Sequence, residues 1–153
     1  MLHGVDPVGY FTAGTAMQGR PELKVVHHGA TYRFANETHR QLFLASPDKY
    51  VPQFDGFCAE RMVYAEPVAG STGAFKIIDG RLYLFESGRA KQFFEMDQGR
   101  NLGLAWHYWD AEVRDAASWR LQAWKRMLFH VPGYRSDAEL ADEYRRRFGR
   151  KPG

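Results

Sequence analysis

Residues 23–34 have the sequence LKVVHHGATYRF, which gives the clearest indication of the fold. β-Branched and aromatic residues stand on both sides of a glycine, which is typical of two strands joined by a tight turn. A second stretch of this kind covers residues 74–78 and 82–85, around Asp79-Gly80, a strong hairpin turn signal. The sequence therefore predicts two β-hairpins.

Helices are predicted after each hairpin. Asn36 can cap a helix over residues 37–46, because an asparagine side chain accepts hydrogen bonds from the first free N–H groups of a helix. Ser87 opens another helix, which is expected to end near Gly99. Residues 47–73 are rich in proline and glycine and are interpreted as mostly irregular.

The C-terminal third is predicted to be helical. Residues 115–129 carry apolar side chains at helical spacing, and Ser136 with Glu139 forms a capping box for a last helix. The pattern predicts an α+β fold with two β-hairpins and short helices, extended by C-terminal helices. The predicted division is an α+β domain over 1–110 and a helical extension over 111–153 that packs on it.

Composition limits the class of protein. Hydrophobic residues make up 44% of the chain and charged residues 25%, which suits a folded domain. No run approaches the roughly 18 apolar residues of a membrane span. The first residues lack the basic and then apolar pattern of a signal peptide. A cytoplasmic location is therefore expected, with a trimmed periplasmic form as the alternative.

Positive charge is concentrated at the C-terminal end. Of the 21 Lys and Arg residues, 10 lie in 111–153, against 6 Asp and Glu there. Such an excess is compatible with nucleic acid or an anionic membrane surface. Acidic residues alternate with the arginines of the last helix, however, so a solvated helix face is the preferred interpretation, and nucleic acid is not an expected partner.

Several pieces of the chain resemble the YHS domain family, and in particular its stand-alone bacterial branch. In order, the matching pieces are Asp6-Pro7-Val8 with Tyr10-Phe11, Gly29-Ala30-Thr31-Tyr32-Arg33-Phe34-Ala35, Ser46-Pro47-Asp48-Lys49-Tyr50, Pro52-Gln53-Phe54, Gly56-Phe57-Cys58-Ala59 and Asp79-Gly80-Arg81-Leu82-Tyr83-Leu84. The resemblance extends over residues 5–85. The resemblance implies a small binding module with a link to metal handling, copper especially.

The chain departs from the cysteine-rich relatives of that family. Two positions that hold cysteine in the cysteine-rich pattern are taken by Ala35 and His39. Cys58 is the only cysteine, which excludes an internal disulfide and a zinc site built from several thiolates. A thiolate is still a soft ligand that suits Cu⁺ or Zn²⁺.

The predicted metal ligands are Cys58, His27, His39 and Met62. Copper or zinc is the expected ion, and the alternative is no cofactor. Alternatively, Cys58 is a small hydrophobic side chain of the core, which is the commoner place for a free cysteine. His27 and His28 are expected to face opposite sides of a strand, so that they would not share one metal.

A ligand pocket is predicted from a second set of residues: Asp6, Tyr10, Phe57, Trp106 and His107. The aromatic run around His107 is interpreted either as the wall of a pocket for a flat ligand or as packing between the domain and its C-terminal helix. Asp6 is expected either to form a turn with Pro7 or to cap the backbone around residues 55–59.

Two classes of function follow. The first is a YHS-type module that binds or senses a soft metal such as copper through Cys58. The second is a module without metal that binds a small ligand or a protein partner, including a second copy of the chain, through C-terminal residues such as Trp119 and Trp124. No phosphate-binding loop, nucleophile elbow or dinucleotide fingerprint is present, so no catalytic residue is predicted.

Overall fold

A computed structural model of the chain describes residues 2–115 and 133–153. Strand β1 (Val5–Asp6) and strand β2 (Met17–Gln18) pair antiparallel on either side of helix α1 (Gly9–Thr12). This small unit tucks the side chains of Val8 and Tyr10 into the core.

The first predicted hairpin is confirmed. Strand β3 (Arg20–His27) pairs antiparallel with strand β4 (Ala30–Phe34). His28 and Gly29 form the two-residue turn, and both have positive φ, 46° and 75°. Turns of this type match the right-handed twist of the strands, and they require positive φ at both central residues.

The helix after the first hairpin is also confirmed. Helix α2 (Glu37–Ala45) begins after Asn36, whose side chain accepts a hydrogen bond of 2.8 Å from the His39 N–H. Three short elements then follow in the segment that was predicted to be irregular: α3 (Pro47–Tyr50), a 3₁₀ turn (Gln53–Gly56) and α4 (Ala59–Met62).

The second predicted hairpin divides the core. Strand β5 (Ser71–Ile78) pairs antiparallel with strand β6 (Arg81–Phe85) across Asp79-Gly80. In β6, Leu82 and Leu84 face one hydrophobic cluster, which includes Phe34, Phe43 and Tyr50. Tyr83 and Phe85 face a second cluster, which includes Cys58 and Met62. Successive side chains of a strand point to opposite faces, so β6 has a core on each side.

One predicted boundary is wrong. Helix α5 (Gly88–Glu95) ends before Gly99, and a separate helix α6 (Gln98–Tyr108) contains that glycine. A π-helical segment (Trp109–Val113) continues α6. The burial of Ala105 and Trp109 in the second cluster supplies the tertiary packing that outweighs the low helix propensity of glycine.

Helix α7 (Asp137–Phe148) packs on α5. Its predicted capping box is confirmed, with Ser136 and Glu139 bonded reciprocally. Leu140, Ala141 and Tyr144 bury against Phe93 of α5. The predicted helix over 115–129 falls almost wholly outside the described residues. The α+β class is confirmed, and no helix of the described part is long and apolar enough to cross a bilayer.

Candidate functional site

Cys58 lies in the core. Its side chain is fully buried at the start of α4, and burial raises the pKa of its thiol from 9.0 to about 12. Backbone hydrogen bonds from Arg61 and Glu86 act in the opposite direction without cancelling the effect of burial. A ligand for a soft metal must be a thiolate, and this environment keeps the thiol protonated.

We expect the Cys58 thiol to resist modification in the folded protein. At pH 8, a disulfide reagent should react at least about a thousandfold more slowly with the native protein than with the protein in urea, because both access and thiolate are lost on folding. The readout is unambiguous because the chain has one cysteine. Similar rates in the two states would show that the thiol is accessible.

The four predicted metal ligands are not brought together. Cys58 and Met62 lie one helical turn apart in the second core cluster. His27 lies at the end of β3, where its ring packs on Phe43 of the first cluster. His39 is buried on α2 with both ring nitrogens bonded elsewhere. Within residues 2–115 and 133–153, no group of three His, Cys, Asp or Glu residues with converging ligand atoms includes Cys58.

A different group of potential ligands lies at the turn of the first hairpin. His27 Nε2 is 3.1 Å from Asp48 Oδ1, and His28 Nε2 is 3.9 Å from the same oxygen. One ligand atom from each residue lies within 4.8 Å of the other two. Asp48 belongs to the first turn of α3, so α3 places a carboxylate beside the hairpin. His27 is mostly buried, whereas the side chains of His28 and Asp48 are about four-fifths exposed.

The expectation that His27 and His28 face opposite sides does not hold. Alternation applies to extended residues, and His28 is in the left-handed region, with φ of 46°. The two rings are therefore in contact, edge to face, with centroids 4.0 Å apart. The dipeptide His28-Gly29 in a two-residue turn was the available signal, because such a turn requires positive φ at its first position.

The buried carboxylate of Asp6 accepts several hydrogen bonds. Its Oδ1 accepts from the Val8 N–H at 2.9 Å, and its Oδ2 accepts from the Ala35 N–H at 2.8 Å. His39 Nδ1 lies 2.6 Å from the same Oδ2. Asp6 thus forms the predicted turn, and it bonds the backbone just before α2 rather than the backbone around residues 55–59.

The imidazole of His39 lies between the Asp6 carboxylate and the exposed residue Thr12. Its Nε2 lies 3.1 Å from Oγ1 of Thr12, an exposed residue at the end of α1. The hydroxyl of Thr12 is also 3.2 Å from the carbonyl oxygen of Val8. This contact could not be predicted from local sequence, because His39 is 27 residues from Thr12 and 33 residues from Asp6, and the three residues belong to no common motif.

The five predicted pocket residues do not converge on one cavity. Tyr10 packs in the first core cluster and donates a hydrogen bond of 2.9 Å to the Thr72 carbonyl. Phe57 and Trp106 pack on the second cluster, and Trp106 Nε1 donates to the Tyr83 hydroxyl at 3.2 Å. His107 is exposed on α6. The aromatic run is therefore packing for α6.

A cleft between α4, α5, α6 and α7 has other lining residues. These include Glu60, Tyr64, Arg100, Arg135, Glu143 and Arg147. Glu60 is buried, and burial raises the pKa of its carboxyl to about 7. Its nearest cation is Arg61, whose guanidinium also contacts Glu86 and Asp137. The cleft thus has a buried carboxyl in its wall, close to where α7 packs on α5.

Comparisons with known proteins add no further identification: no family model matches the chain, and neither a curated protein nor a solved structure shows significant similarity to it.

Proposed function

We propose that the chain is a metal-binding module of the YHS type, and that its metal is held by His27, His28 and Asp48 rather than by Cys58. The observation that carries this proposal is the convergence of one ring nitrogen from each of His27 and His28 with a carboxylate oxygen of Asp48, all within 4.8 Å of one another. The resemblance of residues 5–85 to a family linked to metal handling supports it independently.

The chemistry of the donors selects the ion. Two imidazoles and one carboxylate suit Zn²⁺, Cu²⁺ and Ni²⁺, whereas Cu⁺ prefers sulfur ligands. Ligand atoms around a tetrahedral zinc lie about 3.3 Å apart, given bonds of about 2.0–2.2 Å. Asp48 Oδ1 is 3.1 Å from His27 Nε2 and 3.9 Å from His28 Nε2, so both distances are already close to that spacing. Small movements of the exposed side chains of His28 and Asp48 would complete it.

The fold prepares one of the three ligands more than the others. The ring of His27 stands edge-on to Phe43, with centroids 5.8 Å apart, and the hydrogen bond to Asp48 orients its Nε2. The turn fixes the backbone of His28. Three protein ligands leave a fourth tetrahedral position for water or for a donor atom of another molecule. Such an open site suits a module that passes a metal on or senses it.

Isothermal titration of the untagged protein with Zn²⁺ near neutral pH tests this proposal. We expect one zinc ion per chain, and at least a tenfold weaker affinity for His28→Asn and for Asp48→Asn, since even the loss of an outer-shell partner costs about 10–100-fold at metal sites. Asparagine tolerates the left-handed backbone of residue 28, so the turn survives the first change.

Two matched variants serve as controls for the titration. His107→Asn removes another exposed histidine, and Cys58→Ala removes the thiol without burying a hydroxyl. Both are expected to bind zinc as the wild type does. Zinc binding that is lost in Cys58→Ala and kept in His28→Asn would show that the Cys58 thiol, and not His28, is a ligand. No binding of Zn²⁺, Cu²⁺ or Ni²⁺ by the wild type would refute the metal function.

The interaction module stays a prediction. The residues on which it depends, Trp119 and Trp124, lie outside the described residues, as does the surface that a second copy of the chain would use there.

A further inference from the structure

We propose that Asp6, His39 and Thr12 form a nucleophilic triad, in which the Thr12 hydroxyl attacks the carbonyl carbon of small activated esters at the surface beside α1. This activity is separate from the proposed metal site, because neither His39 nor Thr12 belongs to the His27–His28–Asp48 cluster. The three side chains join in the order carboxylate, imidazole, hydroxyl, with gaps of 2.6 and 3.1 Å.

The proton positions follow from the partners of Asp6. Both of its oxygens accept backbone N–H bonds, so its carboxylate acts as an acceptor toward His39 as well. His39 Nδ1 therefore carries the donated hydrogen, and the lone pair of Nε2 points to Thr12. Asp6 thus fixes the tautomer that a general base needs.

Thr12 is an exposed residue with a part-buried hydroxyl, and the imidazole that would act as its base is shielded. Thr12 and the following residues Ala13 and Gly14 are exposed, and no atom lies within 4 Å of where a side chain would begin at Gly14. His39 is largely buried, with only its Nε2 side toward the hydroxyl. A hydroxyl rotates freely between acceptors, so Thr12 can turn its hydrogen from the Val8 carbonyl to Nε2.

The chemical steps balance with water as the only further reactant. Thr12 Oγ1 bonds to the carbonyl carbon of the ester while His39 Nε2 takes the hydroxyl proton, and Asp6 stabilises the imidazolium. The carbon–oxygen bond of the leaving group then breaks, and the leaving alcohol takes the proton from Nε2. Water cleaves the resulting ester of Thr12 by the same route, which releases the acid and restores the hydroxyl.

The test uses p-nitrophenyl acetate as the probe, with the full chain and a metal chelator present. After acid quenching, intact mass and peptide mapping locate the acetyl group. We expect one acetyl on Thr12, formed at least about a hundredfold faster than in His39→Gln, which is the low end of the contribution of a general base. Thr12→Ser should keep the reaction, and Thr12→Val should abolish it.

Folding is checked separately, because His39 is buried. Thr12 is exposed, so Thr12→Val should keep the circular dichroism spectrum and unfolding midpoint of the wild type while losing the acetyl group. Wild-type protein that carries no acetyl on Thr12 would overturn the proposal. So would acetyl-Thr12 that forms equally fast in a folded His39→Gln protein, or acetylation of His39 itself in Thr12→Val.

Discussion

Asp6→Ala is expected to lower the free energy of unfolding by about 3–5 kcal/mol, because it removes the shared acceptor of three donors. The carboxylate is fully buried and accepts from two backbone N–H groups and His39. Alanine leaves these three donors without their acceptor, and each unsatisfied buried group costs about 1–3 kcal/mol. The measurement is urea unfolding followed by circular dichroism.

Asp6→Asn and Thr12→Val give the comparison. Asparagine keeps the shape of the side chain and one acceptor oxygen, but its NH₂ group replaces the other oxygen and faces a hydrogen-bond donor. We therefore expect a stability between those of the wild type and Asp6→Ala. Thr12→Val changes only the exposed end of the network and should shift stability by less than about 1 kcal/mol. An unfolding curve of Asp6→Ala that matches the wild type would show that Asp6 does not hold the N-terminal segment to α2.

Glu60→Gln is expected to stabilise the protein at pH 8 by up to about 3 kcal/mol, with little effect at pH 4.5. Burial raises the pKa of Glu60 from 4.5 to about 7, the carboxylates of Asp137, Glu86 and Glu66 act in the same direction, and Arg61 opposes them. Between these two values the unfolded chain has released the proton that the folded chain still holds. Stability contributed by the protonated carboxyl is therefore lost as pH rises from about 4.5 to about 7.

The measurement is the free energy of unfolding of wild type and Glu60→Gln at a series of pH values. Glu86→Gln is the matched control, because Glu86 accepts from Arg61 Nε at 2.9 Å but is partly exposed. It should give no gain at pH 8. A Glu60→Gln protein that is less stable than the wild type at pH 8 would mean that the ion pair with Arg61 outweighs the cost of burying the charge.

Local signals account for the elements that were predicted correctly. Each hairpin is specified by strand residues on either side of a two-residue turn, and the caps at Asn36 and Ser136 act within one helical turn. Helix α6 was missed because Gly99 and Gly103 are unfavourable within a helix by local propensity. Its stability comes from packing against residues distant in sequence, which no local pattern reports.

The candidate sites were harder to predict because each depends on long-range placement. His27 was predicted as a ligand, but its partner Asp48 is 21 residues away and on another element. His39 was predicted as a ligand too, and its bond to Asp6 spans 33 residues. Cys58 was left open between ligand and core, and the burial that decides its chemistry is a property of the packed cluster around β6.

Whether His27 and His28 hold the metal is tested most directly by a two-dimensional NMR spectrum of the imidazole nitrogens, recorded while Zn²⁺ is added to one equivalent. We expect the Nε2 signals of His27 and His28 to change together and to stop changing at one zinc per chain. The other four of the six histidines, including His39 and His107, should not change. Zinc binding that leaves the Nε2 signals of His27 and His28 unchanged would show that these histidines are not the metal ligands.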